Sequence, residues 1–356
     1  SSNPAGLALV GSRVDFGVDY LEPARDVSIS GNRQLTLASA DGAWDGNEIG
    51  SFIVPEFGIS RRHSERLSYG LAIYGNGGLN TDYSTNPYSG FGATGRAGVD
   101  LTQIFVSPAL SYRLSERQSI GVSINLVYQQ LKVYGVEIFA TETFPGPYSE
   151  SPDNVSGNGY DRAYGVGYRL GWLAEPIENL MIGLSWQPQT TMSRFDKYKG
   201  LIRDQGRLNS PANYGGGVSY RWDSGLVLAF DVQRIDYAKV KSIGTPLQPF
   251  LDGALLGADD GPGFGWRNMT IYKLGIAYPV TPQLQLAAGY SDGRQPIPRD
   301  QTLFNILTPA ILQDHYTVGF TYEVEAYSVG AYYFYGPPQT VRGRNSIPPN
   351  QLANPL

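Results

Sequence analysis

The sequence contains no cysteine, two histidines and three methionines in 356 residues. Without cysteine there can be no disulfide framework and no thiolate nucleophile or thiolate metal site. The absence of thiols also suits a protein exported through an oxidising compartment. Two histidines and no cysteine argue against a transition-metal centre and against any bound cofactor of that kind. Long apolar runs are missing too. No stretch reaches the roughly 18 residues a spanning helix needs, and mean hydropathy is −0.24. The net charge of −5 carries no basic block that would attract nucleic acid. The glycine-rich stretches do not stand between a strand and a helix, which excludes a phosphate-binding loop.

What the chain does have is alternation. From Tyr316 to Val324 every second residue is apolar, while Thr317, Gly319, Thr321 and Glu323 between them are small or polar. The same period of two recurs at Leu67–Ile73, Ile120–Tyr128, Leu180–Trp186, Leu226–Val232, Tyr272–Tyr278 and Leu284–Tyr290. Repetition on this scale predicts an all-β antiparallel barrel, each strand with one face in oil and the other toward a wetter lumen. The apolar set decides for a membrane rather than a soluble sandwich. It is unusually aromatic, and Tyr69, Tyr112, Tyr128, Trp172, Trp186, Tyr220, Tyr278 and Tyr290 fall near strand ends, where amphipathic rings favour the bilayer boundary. The partners implied are outer-membrane lipid and lipopolysaccharide, with no nucleic acid.

Loop lengths orient the barrel, because bacterial barrels have short periplasmic turns and long external loops. Tight turns are predicted near Arg62–Arg66, Ser115–Gln118, Glu175–Asn179, Trp222–Gly225, Thr281–Gln283 and Glu323–Ala326. Long connections alternate with them, at Ala24–Asn47, Gly75–Ala97, Gly135–Tyr160, Ser193–Asn209, Lys241–Trp266, Asp292–Gln313 and from Gly336 onward. The second set is placed outside a bacterial outer membrane that the chain crosses many times. Thirteen strands are visible, the first from near Arg13 and the last over about Tyr327–Tyr335. Bacterial single-chain barrels have even numbers, so either a closing strand is expected beyond the Pro- and Asn-rich tail or the count of thirteen is off by one. No basic, apolar leader precedes Ser1 either, so the chain reads as processed or incomplete at both ends.

The N-terminal SSNPAGLALVGSRVDFGVDY resembles the end of the hatch and the first strand of the FadL family of outer-membrane transporters for long-chain fatty acids and other hydrophobic compounds. Asn3, Pro4 and Ala5 carry that likeness. NGGLNTDY at Asn76–Tyr83 is similar to the family's kinked third strand, and NLVYQQLKVY at Asn125–Tyr134 to the strand entering its third loop. WRNMTIYKLG at Trp266–Gly275 and AAGYSDGRQPIP at Ala287–Pro298 also fit, in the right order. The resemblance implies about fourteen strands, with residues 1–12 the remnant of a hatch plugging the lumen and 13–356 a transmembrane barrel with long extracellular loops. It implies no enzyme and no cofactor, but passive diffusion of an apolar solute into an internal pocket, hatch movement and lateral exit through the wall.

The residues offer a site for this. Gly77 and Gly78 interrupt a strand whose lower part alternates cleanly, and adjacent glycines permit a bulge that breaks ladder pairing; the bland reading is the start of an external loop. Along one strand the inward positions Gly121, Ser123, Asn125, Val127 and Gln129 give way to Leu131 and Val133 toward the outside, and in the last strand Ser328 and Gly330 give way to Tyr332 and Phe334. Both strands turn apolar inside at one height, which predicts an apolar chamber beneath the external loops, or packing against an inward-folded loop. For a carboxylate headgroup the resemblance points to Arg267, with Lys132, whose phase faces outward, as a second candidate. The family's other basic position falls at Gly135, which leaves fatty acids, alkanes and aromatic hydrocarbons all open as ligands of a monomer.

Two other classes remain to be weighed. A general water-filled porin would line its constriction with opposed charges, whereas the inward faces carry mostly Gly, Ser, Ala and Thr, with few charges such as Arg169, Asp231 and Lys273. A lipid-modifying barrel enzyme would need a Ser/His site, yet His63 sits in a periplasmic turn and His315 near an external strand end. Asp259 and Asp260 could meet a calcium ion, but a solvated acidic loop is much the better account of them, and no metal site is assigned.

Overall fold

The computed structural model of the chain describes residues 3–31, 41–141 and 146–344; the tail beyond 344 and the first two residues lie outside them. Fifteen strands are present among the described residues. They are β1 (Arg13–Leu21), β2 (Asp26–Ile29), β3 (Gly42–Asp45), β4 (Phe52–Arg62), β5 (Leu67–Tyr83), β6 (Ala97–Ser115), β7 (Gln118–Tyr134) and β8 (Asp161–Ile177). There follow β9 (Leu180–Gln187), β10 (Asn213–Arg221), β11 (Val227–Ile235), β12 (Met269–Pro279), β13 (Leu284–Gly293), β14 (Asp314–Val324) and β15 (Tyr327–Tyr335). Thirteen of these form one antiparallel sheet in the order β1-β4-β5-β6-β7-β8-β9-β10-β11-β12-β13-β14-β15. Each strand therefore pairs with its neighbour in sequence, apart from β2 and β3. Those two pair only with each other, as a hairpin inside the first long connection. Strands of four residues are too short to show a period, so this hairpin has no signature in the sequence. The two edges of the large sheet, β1 and β15, meet where the Tyr332 hydroxyl donates to Asp19.

The sheet is inside out relative to a soluble protein. On β7, Ile120, Val122, Ile124 and Leu126 are 42, 39, 51 and 46% exposed, while Ser119, Ser123 and Asn125 on the other face are 4, 6 and 1% exposed. Such an arrangement is stable only if the exposed face meets hydrocarbon rather than water. Along β1 the same rule holds, with Val14, Phe16, Val18 and Tyr20 exposed in succession. Aromatic pairs on adjoining strands mark the outer face, including Tyr128 with Tyr164 at 5.6 Å and Tyr168 with Trp186 at 5.9 Å between ring centroids. No described helix is long and apolar enough to cross a membrane.

The N-terminal segment, a 3₁₀ turn at Pro4–Gly6 continued by a helical turn at Leu7–Val10, lies against the inner face of β6 to β9. Asn3 does most of the anchoring. Its Nδ2 donates to the carbonyls of Trp172 (3.1 Å) and Leu184 (3.0 Å), and its Oδ1 accepts the Ala5 amide at 3.0 Å. The Ala5 carbonyl accepts both Ser111 Oγ (3.0 Å) and Ser119 Oγ (3.1 Å), and Arg113 donates to the Ala8 carbonyl at 2.7 Å. The small inward residues of β7 and β8 make room for this. A Cβ on Gly121 would stand 2.4 Å from the Pro4 and Ala5 backbone, so no larger residue fits while the segment stays docked.

That contact yields a test. Gly121→Leu should leave barrel assembly intact, as judged by heat-modifiable gel mobility, while releasing residues 3–10 from the wall. Losing the two hydroxyl bonds to Ala5 should weaken docking by roughly 1–3 kcal/mol, read as a rise in hydrogen exchange at Ala5 to Val10. Unchanged exchange there would show that the segment is not held by this face.

Candidate functional site

Above the docked segment the inner face of β6 to β9 carries a cluster of buried polar side chains. Asn125 Oδ1 accepts Ser107 Oγ at 2.9 Å and Ser123 Oγ at 3.3 Å, and its Nδ2 donates to Gln187 Oε1 at 3.3 Å. Arg169 also donates to Gln187 Oε1, at 2.7 Å. These groups come from β6, β7, β8 and β9, so four strands meet in one network. Buried polar atoms need such partners, because each one left alone costs about 1–3 kcal/mol.

Over this layer lies a cavity of about 440 Å³, within the usual range for a small-molecule site. The barrel contributes Leu79 of β5, Leu101 of β6 and Leu131 and Val133 of β7 to its wall. External loops supply the roof, with Phe139, Ile243, Phe264 and Trp266 among its lining. The roof is tied down by side-chain-to-backbone bonds over long separations. Tyr83 donates to the Ile306 carbonyl at 2.8 Å, Thr81 to the Leu307 carbonyl at 2.8 Å and Tyr88 to the Leu303 carbonyl at 3.1 Å. Asn305 cross-links the loops from the other side, donating to the Phe264 and Gln301 carbonyls at 2.8 and 2.7 Å while accepting Trp266 Nε1. Burial pushes the hydroxyls of Tyr88 and Tyr237, both on the chamber wall in external loops, above the usual phenol range. They are neutral lining groups, and the chamber stays apolar.

Gly77 and Gly78 border the chamber as well. The strand does not end there, as a loop from Gly75 would require, but runs on to Tyr83. On the β6 side one residue is extruded: Gly75 pairs with Ile104 and Gly77 with Gln103, leaving Asn76 as a bulge. Gly77 takes φ +144°, a conformation that side-chain-bearing residues avoid. The loss of pairing lies on the other side. The ladder between β4 and β5 stops at Phe57–Ile73, although β4 continues to Phe52 in register with β1. From Tyr74 to Thr81 β5 thus has a strand partner on one edge only, beside the chamber, until the backbone of Asp82 bonds to Gly46 and Glu48.

The sequence-predicted residues are distributed unevenly around this site. Leu131, Val133, Gly77 and Gly78 line it. Tyr332 and Phe334 do face inward, opposite Gly319 and Thr317 of β14, but they stand outside the chamber, with Phe334 stacked on His315 at 5.0 Å. Lys132 projects from the outer face, its ammonium 5.0 Å from the Tyr134 ring and 5.6 Å from that of Tyr160. Tyr160 donates to Asp100, and that bond, with burial, pushes its pKa up to about 12. Arg267 is exposed and is not part of the lining; its backbone amide donates to Pro296. The charged side chain that does line the chamber is Arg203. Its Nη1 donates to Thr245 Oγ1 and the Gly261 carbonyl, both at 2.7 Å, whereas its buried Nε has no partner. No strand period leads to Arg203, which sits in an irregular loop turn with Asp204 and Gln205 at positive φ.

His315 Nδ1 lies 3.3 Å from Ser291 Oγ on the neighbouring strand. The adjoining Asp314 cannot complete a triad, because it faces the other way and accepts the Tyr290 hydroxyl at 2.6 Å.

Solved structures with the same fold include the toluene transporter TodX of Pseudomonas putida, at TM-score 0.62 and 18% identity over 91% of this chain and 83% of that one. The toluene transporter TbuX of Ralstonia pickettii gives 0.60 and 18%, over 90% and 83%. A FadL homologue of Pseudomonas aeruginosa gives 0.60 and 15%, over 93% and 83%. At these identities the likeness is one of fold. No curated protein matches the chain. The family profile described as outer membrane protein transport protein (OMPP1/FadL/TodX) matches residues 1–336. Docked N-terminal segment, inverted sheet and enclosed apolar chamber accord with that match, and the chain belongs to the OMPP1/FadL/TodX family of outer-membrane transport proteins, which are channels rather than enzymes.

Proposed function

We propose that the protein takes small hydrophobic molecules from outside the cell into the apolar chamber and releases them sideways into the membrane between β4 and β5. The observation that carries this reading is the coincidence of two features: the chamber and the unpaired edge of β5 share Asn76, Gly77 and Gly78. A molecule leaving there passes from one apolar phase to another and never crosses the polar layer below. A water-filled pore would need a continuous hydrated path lined by opposed charges, whereas on the inner face of β7 to β9 the polar groups of Asn125, Gln187 and Arg169 are bonded to one another. The first dozen residues act as the hatch in this scheme. The protein works as a monomer amid outer-membrane lipid and lipopolysaccharide.

The chamber favours hydrocarbon. Each buried methylene contributes about 0.8 kcal/mol, so several methylenes outweigh a single charged hydrogen bond of roughly 1.5–3 kcal/mol. Aromatic hydrocarbons, alkanes and the tails of fatty acids all meet that condition, and two of the similar structures are named as toluene transporters. A carboxylate would add to this only through a cation inside the chamber. Arg203 holds that position; Arg267 is exposed in the loop segment next to the lining residue Trp266, and Lys132 lies on the outer face.

Two measurements follow. Arg203→Ala should weaken binding of a fatty acid by about 1.5–3 kcal/mol and leave an alkylbenzene nearly unchanged in calorimetric titration. If Arg267→Ala has that effect and Arg203→Ala does not, the headgroup binds at the approach instead; equal losses for both ligands would mean a structural role. The Gly77→Val, Gly78→Val double variant should slow hydrocarbon passage into vesicles several-fold, since a β-branched residue at φ +144° cannot keep the bulge. Unchanged passage in an assembled barrel would remove lateral exit from the mechanism.

A further inference from the structure

The bulge in β5 takes Asn76 out of the ladder with β6. Asn76 is skipped by the β6 ladder and has no strand partner on the β4 side. Its carbonyl is nevertheless satisfied, from within the lumen: Gln103 Nε2 donates to Asn76 O at 3.2 Å. Gln103 Oε1 in turn accepts Gln129 Nε2 at 2.8 Å. The two glutamines are direct register partners on β6 and β7, 8 and 2% exposed, and both line the chamber. The direction of the chain is fixed by chemistry. A carbonyl can only accept, so Gln103 must present its nitrogen to Asn76, and its oxygen is then left for the nitrogen of Gln129. The sequence ends on Gln129 Oε1, which has no partner.

We propose that Gln103, steadied by Gln129, is a positioning residue that holds the bulge of β5 in shape and so keeps the wall open between β4 and β5. The glycines permit the bulge but supply nothing that favours it over a straight strand. The amide does, because it gives the extruded carbonyl a bond that a straightened β5 would have to exchange for one with β4. Removing it leaves a buried acceptor against an apolar chamber, and pairing with β4 is the available remedy. Closure of the gap is the consequence. This role rests on the reading that molecules leave between β4 and β5, but it concerns a different set of residues from the glycines, and the two can fail separately.

The test uses the full chain reconstituted in lipid vesicles, with butylbenzene as the probe. Equilibrium affinity and rate of passage are measured on the same preparations. Gln103→Met, of similar volume but unable to donate, should slow passage about fivefold or more without weakening affinity, since a thioether in the chamber wall does not disfavour a hydrocarbon. Gln129→Met should slow it less, since Gln103 keeps its own bond to Asn76. Gln103→Lys, which retains a donor, should restore most of the wild-type rate. Loss of rate and affinity together in Gln103→Met would overturn the proposal, as would unchanged rates in both methionine variants. Should Gln103→Met fail to assemble, Gln129→Met still decides the matter by the same split. If the glycine double variant slows passage while the methionine variants do not, only the positioning role falls. If none of them slows it, lateral exit falls as well.

Discussion

Inside a bilayer there is no water to satisfy a peptide group, so every N–H and C=O within the hydrocarbon must find its partner in the protein. The architecture follows from this requirement. Thirteen described strands meet it by pairing in sequence order, and side-chain alternation then sorts itself into a greasy outside and a polar inside. The same requirement sets the terms on which the wall can be breached. Where β5 leaves β4 behind, the unpaired backbone has to be served by something else, and a side chain of the lumen serves the one carbonyl that the β6 ladder also skips.

The interior is stratified by the same logic. The docked N-terminal turn exposes backbone carbonyls to the lumen, and the serines of β6 and β7 answer them with hydroxyls. Next comes a layer of amides and hydroxyls whose members satisfy one another. Only above it, where loops fold over the mouth, does the lining become hydrocarbon. Polar strand residues below and apolar loop residues above give the lumen two solvents, one stacked on the other.

How much of this was legible beforehand depended on periodicity. A strand in a membrane barrel repeats every two residues, and the thirteen strands, the end of β15 at Tyr335 and the inward phase of β7 could all be read from that signal. The height at which β7 turns apolar was legible too, because Leu131 and Val133 stand on the same face as Ser123 and Asn125. Tyr332 and Phe334 shared the right phase but not the right place: the chamber lies to one side of the lumen, and phase gives height and facing without bearing. The roof was not legible at all. Arg203, Phe264 and Trp266 come together from connections without a period, held by bonds between residues 42 and 39 apart in sequence. Arg267 neighbours the lining residue Trp266 in sequence, yet it is exposed and lies outside the lining.

One further property lies in how β5 is held. Its lower half is paired on both edges, and its upper end is fastened by Thr81 and Tyr83 to the carbonyls of Leu307 and Ile306, more than two hundred residues away in sequence. Only the stretch between, around Asn76 to Leu79, lacks a second neighbour. In mechanical language β5 is a beam clamped at both ends and free along one side of its middle. Such a beam bows; it does not swing. The upper clamp therefore bears on the same stretch of β5 that lacks a ladder with β4, which couples the roof of the chamber to its side wall.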